Sequence, residues 1–264
     1  MSAGSDDRKR GWEWRLSATF TLDVERYFPR LSPELANYVV HCSEQLGVFY
    51  VEVPKAASSS VKKLLQLAEV GGDVQALRSL GGNMHKRYHS PIPTLNASGL
   101  RIGDVNADPR YFKFAFVRNP FSRLLSCYLD KIARPRDEPR RLKLGFDAVE
   151  PVSLLRFLEA LTEPAALLVD THWMPQVYLL EPERIDWDFI GRFERIDDDL
   201  RVVIERLTTL PAQQQTMRVD PHRTDSDARV AEMIGPAEAE LIRHIFAEDF
   251  RAFGYATDPV PVPV

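Results

Sequence analysis

The stretch YVEVPKAASSSVKKLL, residues 50–65, decides the fold of this chain. It begins inside the apolar segment VFYVEV (48–53), whose β-branched and aromatic residues predict a short buried strand. It continues into a predicted helix over 58–68, so that the strand passes through a tight turn at Pro54 directly into the helix. Because a turn of this kind leaves several backbone N–H groups unpaired and facing outward, it favours an anion as its ligand.

The side chains of this turn favour phosphate in particular. Ser58, Ser59 and Ser60 add hydroxyl donors at the start of the helix, and Lys55 adds a mobile cation that reaches a phosphate oxygen. The nucleotide triphosphate loop G-x-x-x-x-G-K-[ST] uses the same physics, but here both glycines are missing and the lysine does not adjoin the hydroxyl residues. Taken alone, the turn is equally compatible with a serine-capped helix that follows a strand.

A second strand and turn offer another phosphate site. The segment FKFAFV (112–117) predicts a buried strand, and a helix is predicted over 121–132. Arg118 presents a bidentate fork at the end of the strand, and Ser126 adds a hydroxyl donor about two turns into the helix, so the two side chains can meet one phosphate. The alternative is an amphipathic helix whose leucines face the core.

The rest of the chain completes an α/β pattern. A weaker strand is predicted over 185–193, and further helices are predicted over 33–46, 152–161, 198–207 and 236–253. Alternation of strands and helices is typical of a single α/β domain with a mostly parallel central sheet flanked by helices. We expect that domain over 12–256, between a flexible tail at 1–11 and a proline- and valine-rich tail at 257–264.

Composition narrows the class of protein. The chain has 264 residues, of which 44% are hydrophobic, enough for one large globular core. Its formal net charge of −4 argues against a general nucleic-acid binder. Cys42 and Cys127 are its only cysteines, which indicates a reducing compartment. We see no signal peptide or membrane anchor and therefore expect a cytoplasmic protein.

The two phosphate-binding turns together resemble the sulfotransferases that depend on 3′-phosphoadenylyl sulfate (PAPS). In that family P-K-x-[AGS]-[ST]-[ST] holds the 5′-phosphosulfate and R-[DN]-P-x-x-R-x-x-S-x-Y holds the 3′-phosphate; residues 54–60 and 118–128 carry both in order. HWMPQ (172–176), GRFE (191–194) and IFAEDFRAFGY (245–255) resemble the carbohydrate branch of heparan, dermatan or chondroitin type.

The resemblance implies a P-loop-like sulfotransferase fold. It implies transfer of the sulfuryl group of PAPS to a hydroxyl of a carbohydrate or related small molecule, with adenosine 3′,5′-bisphosphate as product and no metal. Lys55 is then the catalytic cation that meets the leaving oxygen. The donor-binding residues implied are Lys55, Ala56, Ala57, Ser58, Ser59, Ser60, Arg118, Ser126 and, on a late basic loop, Arg223.

The acceptor hydroxyl also needs a base, for which histidine is the usual residue. We rank His89 first, because its polar loop resembles the place where 2-O-type heparan sulfotransferases keep a catalytic histidine; His85 lies one helical turn earlier. His172 is the next candidate for the base, and it is expected either to line the acceptor cleft or to pack beside Trp173. Glu194 is expected to orient a catalytic group, to act as the base, or to be a paired carboxylate at a strand end.

Some alternatives stay open. The basic segment 134–143 is a lid, a contact for sugar anions or a solvated loop, and Trp173 and Trp187 either stack on a sugar or belong to the core. A nucleotide-dependent kinase is disfavoured, since it needs a glycine-rich loop and a carboxylate for Mg²⁺. A non-catalytic nucleotide-binding protein is expected to have lost Lys55 or Arg118, and both are present.

Overall fold

A computed structural model describes residues 18–79, 90–133, 138–147, 149–207 and 226–259. Its centre is a four-stranded sheet in the order β1-β2-β3-β4. The strands are β1 Val40–Ser43, β2 Val48–Val51, β3 Phe112–Val117 and β4 Phe189–Arg192. β1 pairs with β2 antiparallel, whereas β2, β3 and β4 are parallel. This confirms the prediction of an α/β domain with a mostly parallel sheet flanked by helices.

Helices cover the sheet and its edges. They are α1 Ala18–Tyr27, α2 Pro33–Val39, α3 Ser58–Glu69, α4 Val74–Ser79, α5 Leu95–Ser98, α6 Ile102–Ala107, α7 Pro120–Cys127, α8 Glu138–Lys143, α9 Leu154–Ala160, α10 Pro164–Leu167, α11 Gln176–Leu180, α12 Ile196–Arg206, α13 Ser226–Met233, α14 Pro236–Ile245 and α15 Ala247–Phe253. A π-helical turn, Tyr128–Ile132, follows α7, and a 3₁₀ turn, Phe193–Arg195, follows β4.

The prediction of one helix over 33–46 was wrong in its second half. Ser32 does cap α2, accepting the N–H of Leu35 at 3.3 Å, but the helix ends at Val39 and β1 begins. Val40 pairs with Val51, and all four residues of β1 are buried. Pairing with β2 and burial on the sheet outweigh the local helical pattern, because strand preference depends on tertiary neighbours.

Other predicted boundaries also shift. The predicted helix over 121–132 is α-helical only to Cys127, because the N–H of Ala133 bonds to the carbonyl of Tyr128, at 2.8 Å, and opens a π turn. The predicted helix over 236–253 is broken at Phe246 into α14 and α15. The strand predicted over 185–193 pairs with β3 only over Phe189–Arg192. The predicted tail at 1–11 lies outside the described residues.

Both faces of the sheet are buried, as a parallel sheet requires. Tyr50 and Phe114 pack on one side against α3 and α12, while Phe49 and Val117 pack on the other against α1, α2 and α11. Gly191 in β4 leaves room for the core, because a Cβ there would lie 2.5 Å from the ring of Phe116. No helix within the described ranges could span a membrane.

Of the two open tryptophan assignments, Trp173 is settled as packing, and Trp187 is partly buried against the core. Trp173 is fully buried and its Nε1 donates to the carbonyl of Ala166 at 2.8 Å. Trp187 packs on Phe49, with ring centroids 6.3 Å apart, and its Nε1 donates to the carbonyl of Leu180 at 3.2 Å. Both indole N–H groups are thus satisfied inside the protein.

A buried ionic cluster lies at the end of β2, directly before the turn that contains Lys55. Glu52 is 4% exposed, and its Oε2 lies 2.7 Å from Lys62 Nζ and 3.5 Å from His41 Nε2. Burial raises the pKa of Glu52, but the hydrogen bond with His41 and the charge of Lys62 outweigh it and lower that pKa to about 2. The carboxylate is therefore ionised in the folded protein even in mild acid.

We expect this cluster to make stability depend on pH in acid. The folded pKa of Glu52 is depressed below its usual 4.5, so its contribution is complete above pH 4.5 and is lost as the pH falls towards 2. That contribution is about 3 kcal/mol. Urea denaturation of the protein and of Glu52→Gln should show a stability gap at pH 6 that closes as the pH falls. A difference in unfolding free energy that is the same at all pH values would contradict the depressed pKa of Glu52. Asp198→Asn, at an exposed position, is the control.

Candidate active site

The turn after β2 holds an uncommon backbone conformation. Lys55 and Ala57 have φ of +71° and +63°, in the left-handed region that costs a residue other than glycine about 1–2 kcal/mol. The N–H of Ala56 donates to Val53 at 3.2 Å and that of Ser60 donates to Ala57 at 2.9 Å. Among the residues that the structure describes, the N–H groups of Ala57 and Ser58 have no acceptor. These two are therefore backbone donors that the turn can offer to an anion.

Lys55 is held in an ion pair that the sequence did not predict. Its Nζ lies 3.0 Å from Asp130 Oδ2, and the same oxygen lies 3.3 Å from Lys131 Nζ. Burial raises the pKa of Asp130, but the charges of Lys55 and Lys131 outweigh it and hold that pKa below its usual value. The π turn after α7 places Asp130 in this position. An anion in the turn thus competes with Asp130 for Lys55.

Arg118, at the end of β3, joins the two predicted phosphate turns. Its Nη1 donates to the carbonyl of Lys55 at 3.2 Å, and its guanidinium lies 3.9 Å from the ring centroid of Phe193. Ser126, the other residue predicted for the 3′-phosphate, lies on α7 and is 1% exposed. The structure thus places Arg118 against the Lys55 turn, and its contact with a 3′-phosphate stays a prediction.

Two motifs of the second half of the chain, HWMPQ and AEDF, hold the backbone of Arg118 in place through hydrogen bonds. The side chain of Gln176 accepts the N–H of Arg118 and donates to its carbonyl, both at 2.9 Å. Asp249, which is fully buried, accepts the N–H groups of Gln176 and Val177 at 2.9 Å each. Burial raises the pKa of Asp249. HWMPQ and AEDF therefore act as a scaffold that fixes the end of β3.

Arg123, the second arginine of the R-[DN]-P-x-x-R motif, is a buried residue that holds three segments together. Its side chain is 2% exposed and donates to three carbonyls: Nε to Pro54 at 3.1 Å, Nη1 to Met174 at 2.9 Å and Nη2 to Thr171 at 3.1 Å. Burial lowers the pKa of this guanidinium. One side chain therefore ties the Lys55 turn to α7 and to the segment 171–174.

His172 lies on that segment and forms a close pair with Asp170. Its Nδ1 lies 2.7 Å from Asp170 Oδ1, and its backbone N–H donates to the same oxygen at 3.1 Å. Burial, together with the charges of Arg140 and Lys131, lowers the pKa of His172 despite the opposing effect of Asp170. The imidazole is therefore neutral at pH 7, and Nδ1 carries its proton because the group it faces is a carboxylate.

The basic segment 134–143 is described from residue 138 onward and is more structural than expected. Arg141 is fully buried and donates to the carbonyls of Ile132 at 2.7 Å, of Asp147 at 3.0 Å and of Glu150. Arg140 Nε and Lys143 Nζ lie 3.1 Å and 3.2 Å from Asp170 Oδ2. A solvated loop is thus the wrong description of Arg141, whereas Arg140 and Lys143, on α8, keep part of their side chains exposed while they pair with Asp170.

Glu194 is a paired carboxylate at a strand end, one of the three roles considered for it. Its Oε1 accepts the N–H of Asn119 at 2.6 Å, and its Oε2 accepts the hydroxyl of Tyr255 at 3.0 Å. Both oxygens are thus used to hold the chain that follows Arg118. His89, His85 and Arg223 lie outside the described residues, and their roles stay predictions. No cluster of three acidic, histidine or cysteine side chains suited to a metal occurs in the described ranges.

Comparison with known proteins places these features in a family. Residues 39–256 match the sulfotransferase family. The chain is 27% identical over 234 residues to human carbohydrate sulfotransferase 14. The aligned region covers 83% of this chain and 60% of the relative. It is 26% identical over 247 residues to carbohydrate sulfotransferase 10 of Xenopus laevis. That alignment covers 82% of this chain and 67% of the relative.

A third relative is more similar over a shorter stretch. Carbohydrate sulfotransferase 8 of mouse is 32% identical over 174 residues, 58% of this chain and 39% of the relative. The chain thus spans about 60% of the length of carbohydrate sulfotransferase 14 from human and mouse. No solved structure matches the chain.

Proposed function

Since the chain belongs to the sulfotransferase family, we propose that it is an enzyme that moves the sulfuryl group of PAPS to a hydroxyl of a carbohydrate or related small molecule. The observation that carries the proposal is the contact between the two turns, in which Arg118 Nη1 donates to the carbonyl of Lys55 at 3.2 Å. Two cationic turns this close suit a nucleotide with phosphates at both its 3′ and 5′ positions.

The first turn is proposed to bind the 5′-phosphosulfate. The N–H groups of Ala57 and Ser58, the serine hydroxyls and Lys55 supply donors to its oxygens. When the acceptor oxygen attacks sulfur, the bond to the bridging oxygen breaks and negative charge grows on that oxygen. Lys55 stabilises this charge. Because a sulfuryl group carries less charge than a terminal phosphoryl group, these donors are proposed to suffice without a metal.

The acceptor is proposed from the relatives' names and from the reaction. Three relatives are carbohydrate sulfotransferases, which supports a carbohydrate hydroxyl. The hydroxyl must lose its proton as it attacks, and two histidines are candidates to take it: His89, from the resemblance, and His172, from the geometry of the described residues.

Calorimetric titration without metal tests the donor site. The protein should bind adenosine 3′,5′-bisphosphate much more tightly than AMP, and radiolabelled PAPS should then label an acceptor in a carbohydrate screen. Binding of ATP only in the presence of Mg²⁺, with no preference for the 3′-phosphate, would instead favour a kinase. Binding of the bisphosphate without transfer to any acceptor would favour a non-catalytic nucleotide-binding protein.

Arg118→Ala should weaken binding of adenosine 3′,5′-bisphosphate but not of AMP. Loss of a charge-assisted contact to the 3′-phosphate costs about 1.5–3 kcal/mol, which is about 10- to 150-fold in Kd. Calorimetry with both nucleotides measures the difference, and Arg201→Ala, at an exposed position, is the control. Equal losses for the two nucleotides would show that the substitution disturbs the turn through the lost contact with Lys55, and not through the 3′-phosphate.

A further inference from the structure

The segment that carries His172 is fixed against the Lys55 turn. Arg123 binds the carbonyls of Thr171 and Met174, on either side of His172, and with its Nε it binds the carbonyl of Pro54, next to Lys55. All three distances are between 2.9 and 3.1 Å. A single planar guanidinium therefore sets the distance between the histidine segment and the catalytic lysine.

Both oxygens of the Asp170 carboxylate have protein partners. Its Oδ1 accepts from the ring and the backbone of His172, and its Oδ2 is paired with Arg140 and Lys143. Burial raises the pKa of Asp170, but the hydrogen bonds from His172 and the charge of Arg140 outweigh it and hold that pKa well below its usual value, so the carboxylate stays ionised and does not itself take a proton. It fixes the ring with Nδ1 protonated, which leaves the lone pair of the neutral imidazole on Nε2.

We propose that His172 is the general base of the sulfuryl transfer and that Asp170 is the residue that positions it. This inference rests on the proposed function. The acceptor oxygen forms a bond to sulfur, the bond from sulfur to the bridging oxygen breaks, and its electron pair stays on the nucleotide phosphate beside Lys55. The hydroxyl proton passes to His172 Nε2.

The charges around His172 suit a base that works near neutral pH. The groups that face it are Asp170, Arg140 from α8 and Lys131 from the π turn, while Lys143 reaches it only through Asp170. Burial and the two cations depress the pKa of His172 below its usual 6.5. The unprotonated base thus predominates at pH 7, and kcat should fall in acid, as the pH drops through that depressed pKa.

A chemical footprint tests the position of His172 without any acceptor. Diethyl pyrocarbonate modifies neutral imidazole nitrogens, and peptide mapping follows each histidine separately. Saturating PAPS should slow modification of His172 at least about 10-fold and leave the exposed His244 unchanged. Equal rates for His172 with and without PAPS, in a protein that calorimetry shows to bind PAPS, would overturn the inference alone. Failure to bind PAPS would overturn the proposed function, and this inference with it.

Kinetics test the role of the base, with unsulfated chondroitin as the probe acceptor. His172→Gln should lower kcat by about 10²–10⁴-fold, leave the KM for PAPS within about 3-fold and abolish the acid limb of the pH profile. Asp170→Asn should lower kcat and shift that limb, and Asp170→Glu should restore part of the rate. His244→Gln should change none of these.

The same assay separates the two histidine candidates. If His172→Gln keeps its rate and acid limb while His89→Gln loses both, the base is His89 and the inference is wrong. If chondroitin accepts no sulfate even with the unmodified protein, the footprint decides the question. If His172→Gln does not fold, His172→Asn and the footprint of the unmodified protein replace it.

Discussion

Lys55→Ala should lower kcat for sulfuryl transfer by about 10²–10³-fold, the loss expected when one donor to a developing oxyanion is removed. Its affinity for adenosine 3′,5′-bisphosphate should change far less, because the N–H groups of Ala57 and Ser58 and the Arg118 side chain remain. Alanine keeps the Cβ, so the cost of the left-handed backbone at this position, φ +71°, is unchanged. The loss therefore reports on the ammonium group and not on the turn. Single-turnover rates with PAPS, set against calorimetric affinities, separate the two effects.

Lys131→Ala is the matched control for that variant. Both lysines pair with the same oxygen of Asp130, Lys55 at 3.0 Å and Lys131 at 3.3 Å, so either substitution removes one cation from this carboxylate. Only Lys55 lies in the turn proposed to bind the phosphosulfate. At pH 8, where His172 is unprotonated with or without the charge of Lys131, the control should change kcat no more than a few-fold. Equal losses for the two variants would mean that the charge balance around Asp130 matters, and not a contact of Lys55 with the leaving oxygen.

The sequence predicted the parts of the site that depend on local spacing. Strand β2, the turn at Lys55 and the start of α3 follow one another within 20 residues, and β3, Arg118 and α7 repeat the pattern. Apolar runs, a helix start and the order of cations and hydroxyls are all local features. They were sufficient to predict the parallel pairing of two strands and the family.

The rest depends on partners that are distant in sequence. Gln176 bonds to Arg118 across 58 positions and Asp249 bonds to Gln176 across 73, so neither role is visible in a motif. The strand β1 was missed because its pairing with β2 exists only in the folded sheet. Asp130 was missed because a π turn, which no local rule predicted, places it beside Lys55.

These long-range contacts explain why the chain carries the motifs HWMPQ, GRFE and AEDF as well as the turns after β2 and β3, from which the motifs are distant in sequence. Asp249 holds the first turn of α11, Gln176 on α11 holds the backbone of Arg118, and Glu194 holds Asn119 after it. Each of these groups bonds to backbone atoms here, so each fixes where the chain runs at the end of β3. The phosphate site proposed at this strand end requires such a scaffold, because its donors are useful only at a fixed position.

Arg123→Met should cost about 3–5 kcal/mol of unfolding free energy, the largest stability loss expected from a single substitution at this site. Methionine fills much of the arginine volume but donates nothing, so the carbonyls of Pro54, Thr171 and Met174 are left buried without their donor. Each such orphaned group costs about 1–3 kcal/mol, and relief from burying a charge returns part of the sum.

Urea denaturation at pH 7 measures the loss, and Arg201→Met is the control. Arg201 is exposed and pairs at 3.3 Å with Asp198, which is also exposed, so its substitution should cost less than about 1 kcal/mol. Arg123→Met should also raise the KM for PAPS, because the Lys55 turn and the segment 171–174 lose their common anchor. A loss below about 1 kcal/mol would mean that water or a local shift satisfies the three carbonyls. In that case Arg123 would not be what holds His172 at its distance from Lys55.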